Sequence, residues 1–313
     1  MKSLAILILN YNGKHYLKKC IESLNKQTSK DFDVWLVDNN SSDGSRAYVE
    51  KNYPKVHVLN TNGNLGFAGA YNVACKYFDK KNITYMYYQL LNNDTECDSL
   101  MVEKVIDTFE LNKKIGIVVP AVVNEKMIVD ALGGTMIPIT GTTIGYKGKS
   151  KYKRGSAVYR CFWASGCALC VRSKLFKKLG YFNDYFIYYE DVDISWRVNN
   201  AGMIVAAIDS TYVKHLQGGA KTPSDFVLYL NERNRILCYW QNLPRMMCIT
   251  LLPLLLVLRL LLLFYLSSNS KNVFGKMRGI VDGLIFIPRY KRRIYSLNQH
   301  LSTILQMSKV TKL

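Results

Sequence analysis

Short apolar segments alternate with helical segments over the first 120 residues, and this alternation constrains the fold most strongly. The predicted strands are short and mostly apolar, at residues 4–9, 32–37, 56–60, 85–91 and 115–120. Between the first two, residues 14–26 place apolar side chains at helical spacing. Strands separated by helices favour a mostly parallel sheet with helices on both faces. The sequence therefore predicts an α/β fold.

Polar side chains follow three of the predicted strands at the point where each strand ends. These clusters are Asn10-Tyr11-Asn12, then Asp38-Asn39-Asn40, then Asn92-Asn93-Asp94. Ligands of open α/β sheets bind beyond the carboxyl ends of the strands. An aromatic ring can stack on a base, and a carboxylate can bind a ribose or a base edge. Tyr11 and Asp38 are therefore candidate nucleoside ligands, although Asp38 also suits a simple turn.

A glycine-rich loop, Asn64-Leu65-Gly66-Phe67-Ala68-Gly69, leads into the next predicted helix. It departs from the dinucleotide motif G-x-G-x-x-G, because Asn64 stands where the first glycine is expected. Backbone N–H groups at a helix start can still bind a phosphate. Asn64, Gly66 and Phe67 are therefore candidate residues of a phosphate site, and a loop that only permits close packing is the alternative.

Asp94 and His215 are candidate metal ligands. One carboxylate among amide oxygens suits a hard divalent cation, Mg²⁺ or Mn²⁺, which also takes oxygen ligands from a diphosphate. The alternative for Asp94 is capping of the following helix. His215 follows a predicted strand and precedes Gly218 and Gly219. A lone histidine is more often structural, but the end of a strand near a metal site favours a ligand.

Three acidic residues lie within four positions after an aromatic run, namely Glu190, Asp191 and Asp193. Neighbouring carboxylates raise one another's pKa, which suits a general base. The alternative is a helix N-terminus, where acidic side chains complement the dipole. Asp193 fits that alternative, since Arg197 lies four residues later. Glu190 and Asp191 then remain as candidate catalytic residues.

The C-terminal region combines an apolar run with excess positive charge. Residues 246–266 are apolar except for Arg259, and as a helix they would span about 31 Å, close to a bilayer core. Residues 246–313 carry ten Lys and Arg and one acidic residue, which is almost half of the net +19. Export of this basic tail would oppose the positive-inside tendency, and Arg259 would be costly in hydrocarbon. We therefore expect a peripheral or monotopic segment on an anionic cytoplasmic surface, with a single spanning helix and a buried helix as alternatives.

Composition excludes several classes of protein. Hydrophobic residues make up 49% of the chain, which excludes a disordered protein. Eight cysteines are too few for a disulfide scaffold and indicate a reducing compartment. The apolar run 4–9 is too short for a signal peptide. Positive charge suits nucleic acid, but no helix-turn-helix, RNP or zinc pattern is present, so no nucleic-acid partner is expected.

Seven segments, taken together and in order, resemble the family 2 glycosyltransferases with a GT-A (Rossmann-like) fold, especially rhamnosyltransferase-like members. The resemblance covers about Leu4 to Trp240. Its segments are Leu9-Asn10-Tyr11-Asn12-Gly13, Val37-Asp38-Asn39-Asn40-Ser41-Ser42-Asp43-Gly44-Ser45, Asn64-Leu65-Gly66-Phe67-Ala68-Gly69, Leu91-Asn92-Asn93-Asp94-Thr95, Trp163-Ala164-Ser165-Gly166, Glu190-Asp191-Val192-Asp193 and Arg233-Asn234.

The resemblance implies an inverting transfer of a sugar from a nucleotide-diphosphate sugar. It implies that Tyr11 and Asp38 bind the nucleoside, that Asp94 with a metal ion binds the diphosphate, and that Asp191 is the base. His215 resembles a late family histidine that completes the metal or diphosphate site. Trp163 and Gly166 would lie in the acceptor or donor-sugar pocket.

Two departures from the family pattern refine this expectation. The usual D-x-D motif reads Asn92-Asn93-Asp94, so one metal carboxylate is missing. The Q-x-x-R-W motif of processive synthases is absent, which favours addition of one sugar.

The expected organisation is a catalytic domain over residues 1–240 and a membrane-associated region over residues 241–313. The expected acceptor is a hydroxyl of a lipid-linked glycan at the cytoplasmic face of the cell membrane. The alternative is a non-catalytic, membrane-docked nucleotide-sugar binder or assembly partner.

Overall fold

The structure, a computed structural model, describes residues 2–148, 150–216, 224–267, 273–293, 303–304, 306–307 and 309–313. The strands are β1 (Leu4–Asn10), β2 (Phe32–Asp38), β3 (His57–Asn60), β4 (Tyr87–Asn92), β5 (Thr95–Cys97), β6 (Ile115–Val123), β7 (Val129–Ala131), β8 (Gly134–Ile137), β9 (Thr142–Gly145), β10 (Val158–Cys161), β11 (Cys170–Arg172), β12 (Ile204–His215) and β13 (Thr311–Lys312). The helices are α1 (Lys14–Asn25), α2 (Ser45–Asn52), α3 (Gly66–Lys81), α4 (Met101–Leu111), α5 (Ser173–Lys178), α6 (Glu190–Asn200), α7 (Ser224–Asn242), α8 (Arg245–Ser267) and α9 (Val273–Phe286), with 3₁₀ turns at Gly166–Ala168 and Ile287–Arg289.

Over the described residues, eleven strands form one mixed sheet. Its main path runs β13-β10-β12-β6-β11-β4-β1-β2-β3, while β5 pairs with β12 and β7 with β6. Strands β4, β1, β2 and β3 are parallel, but β11 lies antiparallel between β4 and β6. The predicted α/β class is confirmed, whereas the prediction of a mostly parallel sheet is wrong. The three-residue strand β11 has no helical crossover before it, because it follows directly from a 3₁₀ turn.

Both faces of the sheet are buried, which explains the continuous apolar sequence of β1. Leu4, Ile6 and Ile8 lie in a core cluster with the apolar faces of α1 and α4. Ala5 and Leu7 point to the opposite face and lie in a cluster with residues of α3. Successive side chains of a strand alternate between its faces, so a strand covered on both sides needs apolar residues throughout.

The strand register brings the predicted polar clusters to one edge of the sheet. Asn10 lies opposite Asp38 in the β1–β2 pair, and Leu9 lies opposite Asn92 in the β1–β4 pair. The antiparallel β12–β5 pair places His215 opposite Thr95, next to Asp94 in the chain. The site residues of four strands therefore converge.

The C-terminal helices pack closely on α7. Because α7 ends at Asn242, the predicted domain boundary at 240/241 falls in the last turn of this helix. Gly275 and Gly279 of α9 face the α7 backbone, and a Cβ at either position would lie within 2.5 Å of a carbonyl oxygen of α7. Arg259 of α8 forms two hydrogen bonds, of 3.0 and 2.7 Å, with the Glu232 carboxylate of α7. Within the described part of the chain, none of the helices has the length and hydropathy of a bilayer-spanning segment.

Candidate active site

Asp38 is buried at the end of β2 and organises the loop that follows. Asn10 Nδ2 donates to Asp38 Oδ1 at 3.1 Å, and the Ser41 backbone N–H donates to Oδ2 at 3.1 Å. Asn93 Nδ2 in turn donates to Asn10 Oδ1 at 2.6 Å. One network therefore joins the ends of β1, β2 and β4. In this network Asp38 has the turn-forming role that the sequence left open. Ser41 also belongs to the network, although the sequence indicated it only by its position near Asp38.

Tyr11 and Asn12 lie on the solvent-exposed side of this network. The Tyr11 side chain is 39% exposed directly after β1, so its ring is accessible for stacking. Asn12 has a left-handed backbone with φ of 51°. Its N–H donates to Ser41 Oγ at 2.9 Å, and its Oδ1 accepts from the Ser42 N–H at 2.8 Å. Asn12 thus fixes the loop that follows β2.

Asn39, which belongs to the predicted polar cluster after β2 but is not one of the candidate ligands, holds the glycine-rich loop. Its Nδ2 donates to Asn64 Oδ1 at 2.9 Å, and its Oδ1 accepts from the Leu65 N–H at 2.9 Å. The Gly66 N–H also donates to Asn64 Oδ1, at 3.1 Å. Gly66 has φ of 69°, and a Cβ there would lie 2.3 Å from the Phe186 carbonyl oxygen, so this position requires glycine.

Phe67 lies in the core behind this loop. Its side chain is 7% exposed, and its ring packs edge-on against Tyr71 at 4.8 Å between centroids. A Cβ on Gly166 would lie 3.0 Å from Phe67 Cζ and 3.4 Å from Asp191 Cβ. Phe67 therefore connects the glycine-rich loop to Gly166 and Asp191 by packing.

Asp94 and His215 meet in the structure. Asp94 is 3% exposed, and its Oδ1 lies 3.2 Å from His215 Nε2. The Leu216 N–H donates to the Asp94 carbonyl oxygen at 2.9 Å, which holds the two chain segments together. The carbonyl oxygen of Asn92, the last residue of β4 and two residues before Asp94, accepts a 2.7 Å hydrogen bond from Thr95 Oγ1.

The donor atoms of Asp94 and His215 fit a divalent cation whose other ligands come from elsewhere. Among the described residues, no three or more His, Cys, Asp and Glu side chains come together in a group able to bind a metal. Mg²⁺ typically takes one or two carboxylates and completes its shell with substrate phosphates and water. His215 also lines a cleft of about 340 Å³ whose other walls are Asn124, Glu125, Lys126, Ile128 and Leu216.

Asp191 is partly exposed in the first turn of α6. Its Oδ2 accepts a 3.0 Å hydrogen bond from the Gly166 N–H, and its Oδ1 accepts from the Val192 N–H at 2.8 Å. Burial raises the pKa of the Asp191 carboxyl, although these amide donors act in the opposite direction. A carboxylate with a raised pKa in a fixed orientation suits proton abstraction.

Glu190 and Asp193 have different environments from Asp191. Glu190 is 5% exposed, and its Oε2 has no hydrogen-bond partner among the described residues. Burial, and secondly the charge of Asp191, raise the pKa of Glu190 well above its usual value. Burial would also raise the pKa of Asp193, but Arg197 and Arg293 outweigh it and lower that pKa.

The predicted pairing of Asp193 with Arg197 is confirmed, at 2.7 Å between Oδ2 and Nη2. Arg293 Nη1 lies 3.0 Å from Asp193 Oδ1, and Asn242 Nδ2 donates to the same oxygen at 2.7 Å. These last two contacts join α6 to α7 and to the C-terminal region.

Trp163 lies against the β8–β9 hairpin. Its indole N–H donates to the Thr135 carbonyl oxygen at 3.0 Å, which ties it to the β8–β9 hairpin. A Cβ on Gly134 would lie 2.3 Å from Trp163 Nε1. Of the two predicted pocket residues, Gly166 contacts Asp191 directly, whereas Trp163 is fixed to the hairpin.

Comparison with known proteins agrees with this architecture. The sequence profile described as "Glycosyl transferase family 2" matches residues 5–180. A hexosyltransferase of low-salt glycan biosynthesis, Agl10 of Haloferax volcanii, is 23% identical over 90% of this chain and 92% of its own length. An N-acetylglucosaminyl-diphospho-decaprenol L-rhamnosyltransferase of Mycobacterium tuberculosis is 24% identical over 68% of this chain and 75% of its own length.

The fold is also that of a solved structure, GalNAc-T7 with UDP, GalNAc and Mn²⁺. The TM-score is 0.60 at 16% identity, over 76% of this chain. The match spans about half of the other chain, 48%. This likeness supports the predicted GT-A-like fold, here with a mixed sheet. Because the family profile covers more than half of its length, the chain belongs to glycosyl transferase family 2 and is a glycosyltransferase.

Proposed function

We propose that this glycosyltransferase moves one sugar, with inversion, from a nucleotide-diphosphate sugar to a hydroxyl of a lipid-linked glycan at the cytoplasmic face of the membrane. The observation that carries the proposal is Asp191, a partly exposed carboxylate held by the Gly166 N–H at 3.0 Å. Direct displacement needs one base to take the proton of the acceptor hydroxyl, and it needs no covalent nucleophile. Of the three neighbouring acids, Glu190 is buried and Asp193 is paired with arginines, so Asp191 suits the role of base.

The donor nucleotide would lie at the strand ends. We infer that the accessible Tyr11 ring stacks on the base and that Asp38 binds the nucleoside through a carboxylate oxygen that still has a free lone pair. Asn10 and Asn93 hold Asp38 and the end of β4 in one network, so they would order this end of the site. The N–H groups of Leu65, Gly66 and Ala68 already donate within the protein, so the glycine-rich loop would shape the wall of the donor site.

Asp94 and His215 would hold Mg²⁺ or Mn²⁺ together with the donor diphosphate. Such an ion, when bound, supplies positive charge that stabilises the diphosphate as it leaves. The protein's own contribution is to keep Asp94 Oδ1, in the turn before β5, 3.2 Å from His215 Nε2 at the end of β12. The Asp94 carbonyl contact with Leu216 holds this pair in place.

A lipid-linked acceptor is supported by a relative and by the surface of this chain. The name of the mycobacterial relative describes transfer of rhamnose to a decaprenol-linked sugar diphosphate. In this chain, one face of α9 exposes apolar side chains at helical spacing: Phe274, Met277, Val281, Leu284 and Ile285. We call this set the α9 apolar face. Arg278 is exposed on the same helix, and Arg289 and Lys291 are exposed shortly after it in the chain.

We propose that the α9 apolar face rests on an anionic cytoplasmic membrane surface. Apolar side chains on one side of a helix and cations near them are typical of interfacial helices. Each cation near an anionic surface adds about 1 kcal/mol of attraction.

The donor and the stereochemistry are tested together. Thermal shifts with UDP-, GDP- and dTDP-sugars, each with and without Mn²⁺, should select one nucleotide whose stabilisation depends on the ion. Transfer from that donor to a polyprenyl-diphosphate sugar, followed by NMR of the product, should give an anomeric configuration opposite to that of the donor. Retention of configuration would overturn the inverting mechanism. Stabilisation by the donor that is equal in Asp94→Ala and in wild type would overturn the metal assignment.

Membrane attachment is tested with vesicles. The variant Phe274→Ser with Ile285→Ser should lose sedimentation with phosphatidylglycerol vesicles, while Leu111→Ser serves as the control. Leu111 is 78% exposed and lies at the end of α4, outside the C-terminal helices. Sedimentation should also weaken as salt rises, because the headgroup attraction is screened. Equal sedimentation of both variants would overturn docking through the α9 apolar face.

A further inference from the structure

The turn that precedes Glu190 has an unusual backbone. Phe186, Tyr188 and Tyr189 have φ values of 69°, 71° and 71°, and none of them is glycine. A non-glycine residue in the left-handed region costs about 1 kcal/mol or more, so three of them need contacts that hold them there. We refer to residues 185–189 as the aromatic turn.

Asn234 on α7 supplies such contacts. Its Nδ2 lies 3.1, 2.9 and 2.9 Å from the carbonyl oxygens of Tyr185, Ile187 and Tyr188. The two hydrogens of this amide are therefore shared among three acceptors. Asn234 is fully buried, so water does not compete for these carbonyl groups.

Arg233 fixes the orientation of the Asn234 side chain. Its Nε donates to Asn234 Oδ1 at 2.9 Å, and its Nη2 donates to the Tyr185 carbonyl oxygen at 2.8 Å. Because the amide oxygen faces a guanidinium, the amide nitrogen must face the aromatic turn.

The aromatic turn contacts both halves of the active site. The Phe186 carbonyl oxygen accepts from the Ala68 N–H at 3.2 Å. The same oxygen lies so close to Gly66 that this position requires glycine. The Tyr189 carbonyl oxygen accepts from the Asp193 N–H at 2.8 Å, which is the first helical hydrogen bond of α6. The conformation of this turn therefore sets where α6 begins relative to the glycine-rich loop.

We propose that Asn234 is a positioning residue of this glycosyltransferase: it holds the aromatic turn in its left-handed conformation and so places Asp191 against the donor site. The catalytic part of this inference rests on the proposed function, because that assigns Asp191 as the base. Asn234 acts on the turn through its N–H groups. Asn234→Asp keeps the shape and the pairing with Arg233 but sets an oxygen against three carbonyl oxygens.

The test compares Asn234→Asp with Asn231→Asp on the same helix. Asn231 is a matched control because its Nδ2 makes a single hydrogen bond, 2.9 Å long, to the Val227 carbonyl oxygen one turn earlier. Hydrogen exchange of amides 186–193, followed by mass spectrometry, should be at least tenfold faster in Asn234→Asp and near wild type in Asn231→Asp. With the donor selected by thermal shift, kcat should fall at least 30-fold while the donor KM changes less than threefold.

Several results would overturn the positioning role. Wild-type exchange at residues 186–193 in Asn234→Asp would do so, and so would faster exchange with unchanged kcat. If Asn234→Asp does not fold, Arg233→Gln provides the second variant, since it frees the Asn234 amide to rotate and should lower kcat in the same direction. The exchange measurement needs no substrate, so it remains decisive if the proposed reaction fails. Transfer that survives in Asp191→Asn would overturn the assignment of the base independently of Asn234.

Discussion

The backbone N–H of Gly166 donates a 3.0 Å hydrogen bond to Oδ2 of Asp191. This contact joins the 3₁₀ turn after Trp163 to the first turn of α6, so the carboxylate is oriented by main chain. A Cβ on Gly166 would lie 3.0 Å from Phe67 and 3.4 Å from Asp191 Cβ, which leaves little room for another residue there. The orientation of the proposed base thus depends on two segments far apart in the sequence.

Asp191→Asn should lower kcat by about 100- to 10,000-fold, the usual contribution of a general base. Its amide oxygen can still accept from Gly166, so donor binding should remain near wild type. The exposed variant Asp107→Asn on α4, whose side chain is 58% exposed, serves as the control. Steady-state kinetics that leave Asp191→Asn within tenfold of wild type would reject Asp191 as the base.

The rate of the wild-type enzyme should fall in acid at a pH above the ordinary aspartate pKa of about 3.8. Burial raises the pKa of Asp191, and the base must be ionised to accept a proton. Activity should therefore rise with pH through the raised pKa. A profile of kcat against pH checks this, and a limb at or below pH 3.8 would contradict it.

Glu190→Gln should stabilise the protein, and more so at pH 8 than at pH 4.5. The pKa of buried Glu190 is raised well above 4.5, its ordinary value in the unfolded chain. Between pH 4.5 and the raised pKa, the folded protein therefore binds more protons than the unfolded chain. Stability of the wild type then falls as pH rises through this range, by about 1.4 kcal/mol for each unit of pKa shift. Denaturant unfolding at both pH values measures the effect. Glu50→Gln, at a surface carboxyl, should show no such gain.

The sequence predicts the strand ends of this site well, because that prediction depends only on local patterns. Apolar runs closed by polar residues locate Asn10, Asp38 and Asp94, and parallel pairing brings them together. The antiparallel strand β11 is different. Its sequence, Cys170-Val171-Arg172, does not reveal its direction, which is decided by the route of the chain.

Contacts between distant segments also cannot be predicted from the sequence pattern. The partners of Asp193 include Arg293, one hundred residues later, and nothing in the basic C-terminal tail distinguishes this arginine from its neighbours. The left-handed backbone at Phe186, Tyr188 and Tyr189 is equally hidden, since aromatic residues are not typical of that conformation. A role for Asn39 could have been predicted, because it lies in the same motif as Asp38.

Arg293→Ala should destabilise the protein by about 1.5–3 kcal/mol at neutral pH, the usual contribution of hydrogen bonds to a charged group. Arg293 Nη1 contacts Asp193 and Nη2 donates to Asn183 Oδ1 at 2.9 Å. The lowered pKa of Asp193 adds stability above its ordinary pKa that is lost as pH falls, so the deficit should shrink in acid. Arg289→Ala, which removes a cation 4.7 Å from the Phe286 ring, should cost about 0.5 kcal/mol or less. Equal losses in both variants would contradict the role of Arg293.

Gly279→Leu should separate α9 from α7 and lower the free energy of unfolding by about 3 kcal/mol or more. A Cβ at this position would lie 2.4 Å from the Tyr229 carbonyl oxygen and 3.0 Å from Glu232 Cβ. Leucine gains about 1 kcal/mol in helix propensity over glycine, so a net loss can arise only from the overpacked contact. Met277→Leu, on the same helix at a side chain 50% exposed, should change stability by less than about 0.5 kcal/mol. Because Glu232 also binds Arg259 of α8, the shift should make both C-terminal helices more sensitive to limited proteolysis. A Gly279→Leu protein with the melting temperature and the proteolysis pattern of Met277→Leu would show that the two helices do not need this close approach.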